Sequence, residues 1–263
     1  MMNTLFLRLE GPLQSWGLRA RWGERDTALE PSKSGIIGLL GCALGLGRND
    51  DRLRTLSDEL RMGVRVDRPG ALLRDYHTTG GGSYGPTDYT GGPRYHDQPY
   101  VGGVLSPEIT KGRIKVKINA TTKLPETDVS DRIYLADASF LVALRGTNPT
   151  VTALAAALQN PIWPFYLGRK SCPPATPVFA GMGEYLDLET ALTSQPIPER
   201  VRKEAQRTQQ PLYLRLLLEV GPGAGVRRND NIGNPFRRVF LPRFVVEQRW
   251  SPDEQRPLIN TFE

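Results

Sequence analysis

Between residues 4 and 11 the chain reads TLFLRLEG: Leu5, Leu7 and Leu9 alternate with Phe6, Arg8 and Glu10, and Gly11–Pro12 then breaks the pattern. A period of two predicts a β-strand with one face on a core. The run SKSGIIGLLGCALGLG (32–47) predicts a helix, with Ser32 or Ser34 as its cap and Gly47 as its stop. Glycines 35, 38, 41 and 45 recur at spacings of three and four, which predicts one smooth face lying close on a sheet. DDRLRTLSDEL (50–60) predicts a second helix running on into a strand, MGVRVDR (62–68). Further along, IYLADASFLVALRG (133–146) predicts one buried strand. NPTVTALAAALQNP (148–161) predicts a helix, with Asn148 as cap, Pro149 at its start and Pro161 as its stop.

Two regions break this rhythm. Residues 80–103 hold eight glycines and four of the nine tyrosines, too little apolar bulk for a packed core, so a loop ordered by a partner is expected. It leads into KGRIKVKINATT (111–122), where Ile114, Val116 and Ile118 alternate with Arg113, Lys115 and Lys117, the pattern of a strand with one cationic face. Toward the C-terminus, ERVRKEAQRTQQ (199–210) reads as a charged, solvated stretch. Residues 212–220, 237–241 and 243–250 read as strands divided by GPGAG (221–225). A loose boundary falls near 176–195. The first part is compatible with a ferredoxin-like sandwich carrying a long excursion, and the second with a small antiparallel unit.

Composition narrows the class. At 263 residues, 39% hydrophobic and 24% charged, the chain suits a globular protein with a real core. Its longest glycine-and-apolar run, residues 35–47, is too short to span a bilayer, and the N-terminus shows no basic region followed by an apolar stretch, so a cytoplasmic protein is expected. With Cys42 and Cys172 as the two cysteines, and His77 and His96 as the two histidines, neither a disulfide framework nor a zinc or histidine-rich metal site is expected, and no cofactor is implied. Net charge is +6, carried by 27 arginines and 7 lysines. Arginine's planar fork suits phosphates and stacked bases, which favours a nucleic-acid partner, although a coding bias toward arginine produces the same skew.

Candidate chemistry divides four ways. PSKSG (31–35) has the Lys and Ser of a phosphate loop without the upstream glycines, and GLGRND (45–50) lies at a helix end, so ATPase and dinucleotide readings are weak. In PFYLGRKSCPP (164–174), Arg169 and Lys170 would favour a Cys172 thiolate, but the chain is short of histidine bases, and a small buried cysteine in a turn explains the residue as well. LRDYHT (73–78) sets Tyr76 and His77 near cations, the groups a metal-independent ribonuclease uses, or else a strand end with satisfied polar groups. Basic residues interleaved with aromatics recur in WGLRARWGER (16–25, with Arg19 and Arg21), in GRIKVKI and in FYLGRK (165–170), which points to phosphate contacts and stacking on unpaired bases.

RLEGPLQSWG (8–17), PSKSGIIGLLGCALGL (31–46) and YLADASFLVAL with PFYLGRKSCPPATPVF (134–179) occur in one order, with LRDYHT between them. Together they resemble the CasD family, the RAMP-class CRISPR-associated subunit of type I-E Cascade, over roughly residues 4–180. The resemblance implies an α+β protein with a modified ferredoxin-like (RNA-recognition-motif) domain over 1–180, a long β-hairpin thumb within about 78–131, and a small C-terminal β-rich part over 181–263. It implies a non-catalytic subunit that grips the 5′ handle of the crRNA beside CasC-type backbone subunits and a CasA-type large subunit, meeting target DNA indirectly through the complex. In a related subtype the equivalent subunit is itself a ribonuclease, which keeps Tyr76 and His77 as an alternative. By position, Lys33 and Ser34 would meet a handle phosphate at a helix N-terminus. Arg169 and Lys170 would do so from a loop in which Gly168 permits close approach.

Overall fold

The computed structural model describes residues 2–17, 24–80 and 127–253. The chain divides into two compact units, one of residues 1–19, 26–73 and 134–263, the other of 20–25 and 74–133. The larger unit is built on a seven-stranded sheet of β1 (Met2–Glu10), β4 (Arg61–Arg68), β7 (Ser139–Thr147), β8 (Phe179–Gly183), β9 (Leu214–Val220), β10 (Val226–Asn234) and β11 (Val239–Trp250). Their order is β10-β11-β9-β4-β7-β1-β8, and every neighbouring pair is antiparallel. The architecture is thus α+β with a large antiparallel sheet.

The alternation read in the first strand sets the layers. Leu5, Leu7 and Leu9 face one side with Phe140, Val142 and Leu144 of β7 and Met62, Val64 and Val66 of β4. On that side lie α1 (Lys33–Leu44), α2 (Arg52–Glu59) and α3 (Asn148–Gln159). On the other, Phe6, Leu141, Ala143 and Leu216 pack beneath α4 (Leu188–Ser194). Ile197 and Leu214 there meet Val201 of α5 (Glu199–Thr208). Arg65 crosses this second layer fully buried: its guanidinium donates to the carbonyls of Leu192, Gln195 and Pro196 and to Asp67. A buried guanidinium is tolerable because those partners use its donors.

Several expectations change. Residues 133–146 are not one strand: β6 (Thr127–Ala136) and β7 are separated at Asp137, whose φ of 58° turns the chain. Most of the charged stretch 199–210 is helical, Glu199–Thr208, with Val201 as its buried anchor. The expected strands 237–241 and 243–250 are replaced by one strand, β11, which starts at Val239 and runs through Pro242 among the exposed positions 239–242, and β10 is not legible in the sequence because VRRNDNIGN lacks clear alternation. Residues 181–253 do not stand apart as a small unit, since β9 pairs with β4 and continues the N-terminal sheet. The glycine stripe of α1 faces no sheet. A Cβ on Gly35 would meet Trp16 and one on Gly41 would meet Leu53, Gly38 faces open space, and Gly45, not Gly47, is the left-handed C-cap. Ile36, Ile37, Leu40 and Ala43 supply the buried face instead. Ser32 does cap α1, through a bond from the Gly35 amide, whereas Thr147 rather than Asn148 caps α3.

In the smaller unit, β3 (Glu24–Arg25) runs parallel to β6 through Asp131 and Arg132, and Arg74 of β5 (Ala71–Gly80) forms a two-pronged ion pair with Asp131. Most of the expected thumb, 78–131, and with it Arg113, Lys115 and Lys117, lies outside the described residues, as do Arg19 and Arg21.

Candidate nucleic-acid interface

Within the larger unit, three of the motifs read in the sequence meet. Gln14 of β2 (Leu13–Gln14) is wholly buried, and its amide donates to the carbonyls of Leu9 and Ala138 while its oxygen accepts from the Trp16 indole. Trp16 is 1% exposed and lies against Gly35 of α1. It therefore fills the core and does not stack on a base, contrary to the reading of WGLRARWGER. The next backbone group, the Ser15 amide, donates to Leu167, which ties this segment to the 167–172 loop.

That loop is a closed turn. The Leu167 amide donates to the Cys172 carbonyl at 2.7 Å and the Cys172 amide to the Arg169 carbonyl at 2.9 Å. Gly168 has φ +93°, and a Cβ there would stand 1.6 Å from the Ser15 carbonyl oxygen. Its close approach is thus to this protein's own backbone. Arg169 lies over the Tyr134 ring at 4.6 Å and donates to the Asp26 carbonyl at 3.2 Å, so its fork is anchored at the edge of the loop. Tyr134, whose hydroxyl is 3.3 Å from Ser171, is a site-building residue that the sequence does not reveal, since YLADASF shows only a strand pattern. Lys170 is exposed. Cys172 is fully buried and burial pushes its thiol up, the opposite of an activated nucleophile.

The PSKSG turn is built differently from the expectation. Lys33 is buried; its ammonium sits 2.9 Å from Glu219, and its backbone amide donates to Asp230 at 2.8 Å. An internal carboxylate thus occupies the position at this helix N-terminus where a phosphate was expected. Desolvation pulls the Lys33 ammonium down and Glu219 opposes it. Asp230 is held in turn by Arg243, which joins α1 to β9, β10 and β11. Ser34 is half-buried in the first turn of α1. Tyr76 and His77 occupy successive positions of β5, so their side chains leave opposite faces of the strand, and His77 lies 3.7 Å from Asp75. Among the described residues, no cluster of His, Cys, Asp or Glu fits a metal ion, and no helix is long and apolar enough to cross a membrane.

The family model for CRISPR-associated protein (Cas_Cas5) matches residues 4–247. The chain belongs to this family. A curated Cas5-type relative, the CRISPR system Cascade subunit CasD of Escherichia coli (strain K12), is 33% identical over 221 residues, covering 79% of this chain and 84% of its own. Two solved structures share the fold. One is a crystal structure of a Cas protein, with a TM-score of 0.61 at 32% identity over 95% of this chain and 96% of that one. The other is a chain of a CRISPR RNA-guided surveillance complex, with a TM-score of 0.66 at 31% identity over 94% and 90%. The family drawn from the three ordered motifs is the one that these comparisons return. The match to residue 247 extends it across β9–β11, where no motif is legible.

Proposed function

We propose that this Cas5-family chain is a non-catalytic guide-RNA subunit of a CRISPR surveillance complex, which grips the 5′ handle of the crRNA and anchors assembly. The observation that carries the reading is the 167–172 loop, fixed by Ser15 and Tyr134 and presenting Lys170 to solvent beside an anchored Arg169. Lys170 meets a handle phosphate, and Arg169 fixes the loop and adds its charge. Arg19, Arg21, Arg113, Lys115 and Lys117 are the further cations of this reading, and Ser34 is its one uncharged phosphate donor. Lys33 is left to its internal pair with Glu219. The order β8-β1-β7-β4, with α1 and α3 as the two crossover helices, supports reading residues 1–180 as a modified ferredoxin-like core. The 78–131 excursion is its thumb. Membership beside a Cascade subunit supports CasC-type and CasA-type neighbours, with target DNA reached through the assembled particle. The opposite-facing Tyr76 and His77 support a subunit that binds without cutting.

Binding of labelled handle RNA by the purified chain, followed across a salt series, tests this. Lys170→Ala together with Arg169→Ala should weaken binding at least tenfold. The slope of log affinity against log salt should fall by about 0.7 for each phosphate no longer neutralised. Unchanged affinity in that variant would sink the proposal. So would site-specific cleavage of repeat RNA in EDTA that disappears in His77→Ala.

A further inference from the structure

Residues 26–30 form a strap that ties the 167–172 loop to a second group of cations. At its start the Asp26 carbonyl accepts from Arg169, and next to it Thr27 and Ala28 hold the Trp16 backbone. At its end Glu30 accepts from Arg228 of β10 and lies 3.6 Å from Arg215 of β9. With four residue steps from Asp26 to Glu30, the strap spans at most about 14 Å.

Beside the strap opens a cleft of about 680 Å³, whose lining includes Thr27, Leu29, Glu30, Arg215, Arg227 and Arg228. Its charges are layered. The lining carboxylates are buried, Glu30 at 8% and Asp230 at 7% exposure, and Asp230 is already taken by Arg243 and the Lys33 amide. The guanidiniums meet solvent instead: Arg228 is 29% exposed, Arg215 36%, and Arg227 is exposed as well. Arg215 is held by Glu247 and Arg228 by Glu30. Arg227 donates from Nε to Asn229 Oδ1 at 3.2 Å, and among the described residues no carboxylate pairs with it. A guanidinium carries its donors in a fixed plane, so Arg227 keeps both terminal nitrogens for an outside acceptor. That fork matches the two free oxygens of a phosphodiester. Leu29, 51% exposed on the strap, offers hydrocarbon to the sugar or base beside that phosphate.

The strap also selects which polyanion arrives. On the reading that Lys170 holds a handle phosphate, on which this inference rests, the next phosphates of the same RNA are tethered within reach of the cleft. Tethering makes the second contact intramolecular, at an effective concentration on the order of millimolar. An acidic protein segment has the charge for this cleft but arrives without that advantage.

We propose that the cleft beside residues 26–30 is a second phosphate-binding site for the guide RNA, with Arg227 as its main contact and Arg228 in support.

Binding of labelled 5′-handle RNA to the full chain, across a salt series, tests this. Arg227→Gln should weaken binding about threefold or more and lower the salt slope by about 0.7, the share of one phosphate. Arg227→Glu, which adds repulsion, should cost about tenfold. Both variants should unfold thermally like the parent chain, because the side chain is exposed and outside the core. Arg207→Glu makes the same charge change on α5, in the opposite layer of the sheet, and should cost much less. Combining Lys170→Ala with Arg227→Gln should multiply the two single losses, as separate contacts do. RNA affinity unchanged in both Arg227 variants overturns the proposal and leaves the cleft to an acidic protein segment. A loss in Arg207→Glu equal to that in Arg227→Glu overturns it too, since net charge then explains both. The handle reading fails separately: a loss in the Arg227 variants with none in the Arg169→Ala, Lys170→Ala pair keeps RNA in the cleft and removes it from the loop.

Discussion

Gly168 shows how one residue sets the candidate RNA loop. With φ at +93° and Ser15 backbone where a Cβ would sit, neither the dihedral nor the space admits a side chain. Gly168→Ala should cost about 2–4 kcal/mol in chemical denaturation and displace Arg169 and Lys170, so handle-RNA affinity falls along with stability. A variant with normal stability and normal RNA binding would refute the packing account. Cys172 makes the complementary point. Its thiol is pushed up by burial, so the folded chain holds this proton more tightly than the unfolded one. The stability that follows is present below the ordinary thiol range and is lost as pH rises through the folded value. At neutral pH, alkylation of Cys172 should require unfolding. Rapid labelling of that residue in the native chain, located by mass spectrometry, would contradict it.

At the scale of elements, the N-terminus of α1 is stitched to the last three strands by Lys33–Glu219 and Asp230–Arg243, two pairs that face the same layer. The two Lys33–Glu219 side chains are 2% and 10% exposed, so removing one partner strands the other in a poorly solvated place. Glu219→Ala should destabilise by about 3–5 kcal/mol, read from urea unfolding. The pH dependence has a definite sign. Burial holds the Lys33 proton less tightly in the folded chain than in the unfolded one, so between the two values stability rises with pH. Without Glu219 the folded value falls further, and the deficit should be larger at neutral pH than near about pH 10. A deficit that does not change with pH would rule out this electrostatic origin. These pairs also mark where sequence reading stops. The period-two pattern of β1 and the proline-started α3 are legible because local spacing carries them. Lys33 next to a helix start looks like a phosphate ligand, because its partner lies 186 residues away. Trp16 among arginines looks like a stacking platform for the same reason: the Gly35 that it packs against belongs to another segment. The 167–172 loop is legible because its residues are consecutive, whereas the Tyr134 ring beneath Arg169 is not.

Across the whole molecule, the seven-stranded sheet places residues distant in sequence side by side: β4 near the start is flanked by β7 and by β9, far along the chain. While the chain emerges from the ribosome, β4 therefore has one neighbour available early and must wait for the other. At ordinary ribosomal synthesis rates the interval between Arg68 and Leu214 lasts on the order of ten seconds. Throughout it the apolar edge of β4 and the start of α1 lack Leu217, Glu219 and Asp230. A partly made chain thus holds α1 through its apolar face alone, and the polar ties of its N-terminus form once β9–β11 are complete. The sheet topology fixes a sequence in time, in which Lys33 gains its carboxylate partner only after the last strands have been made.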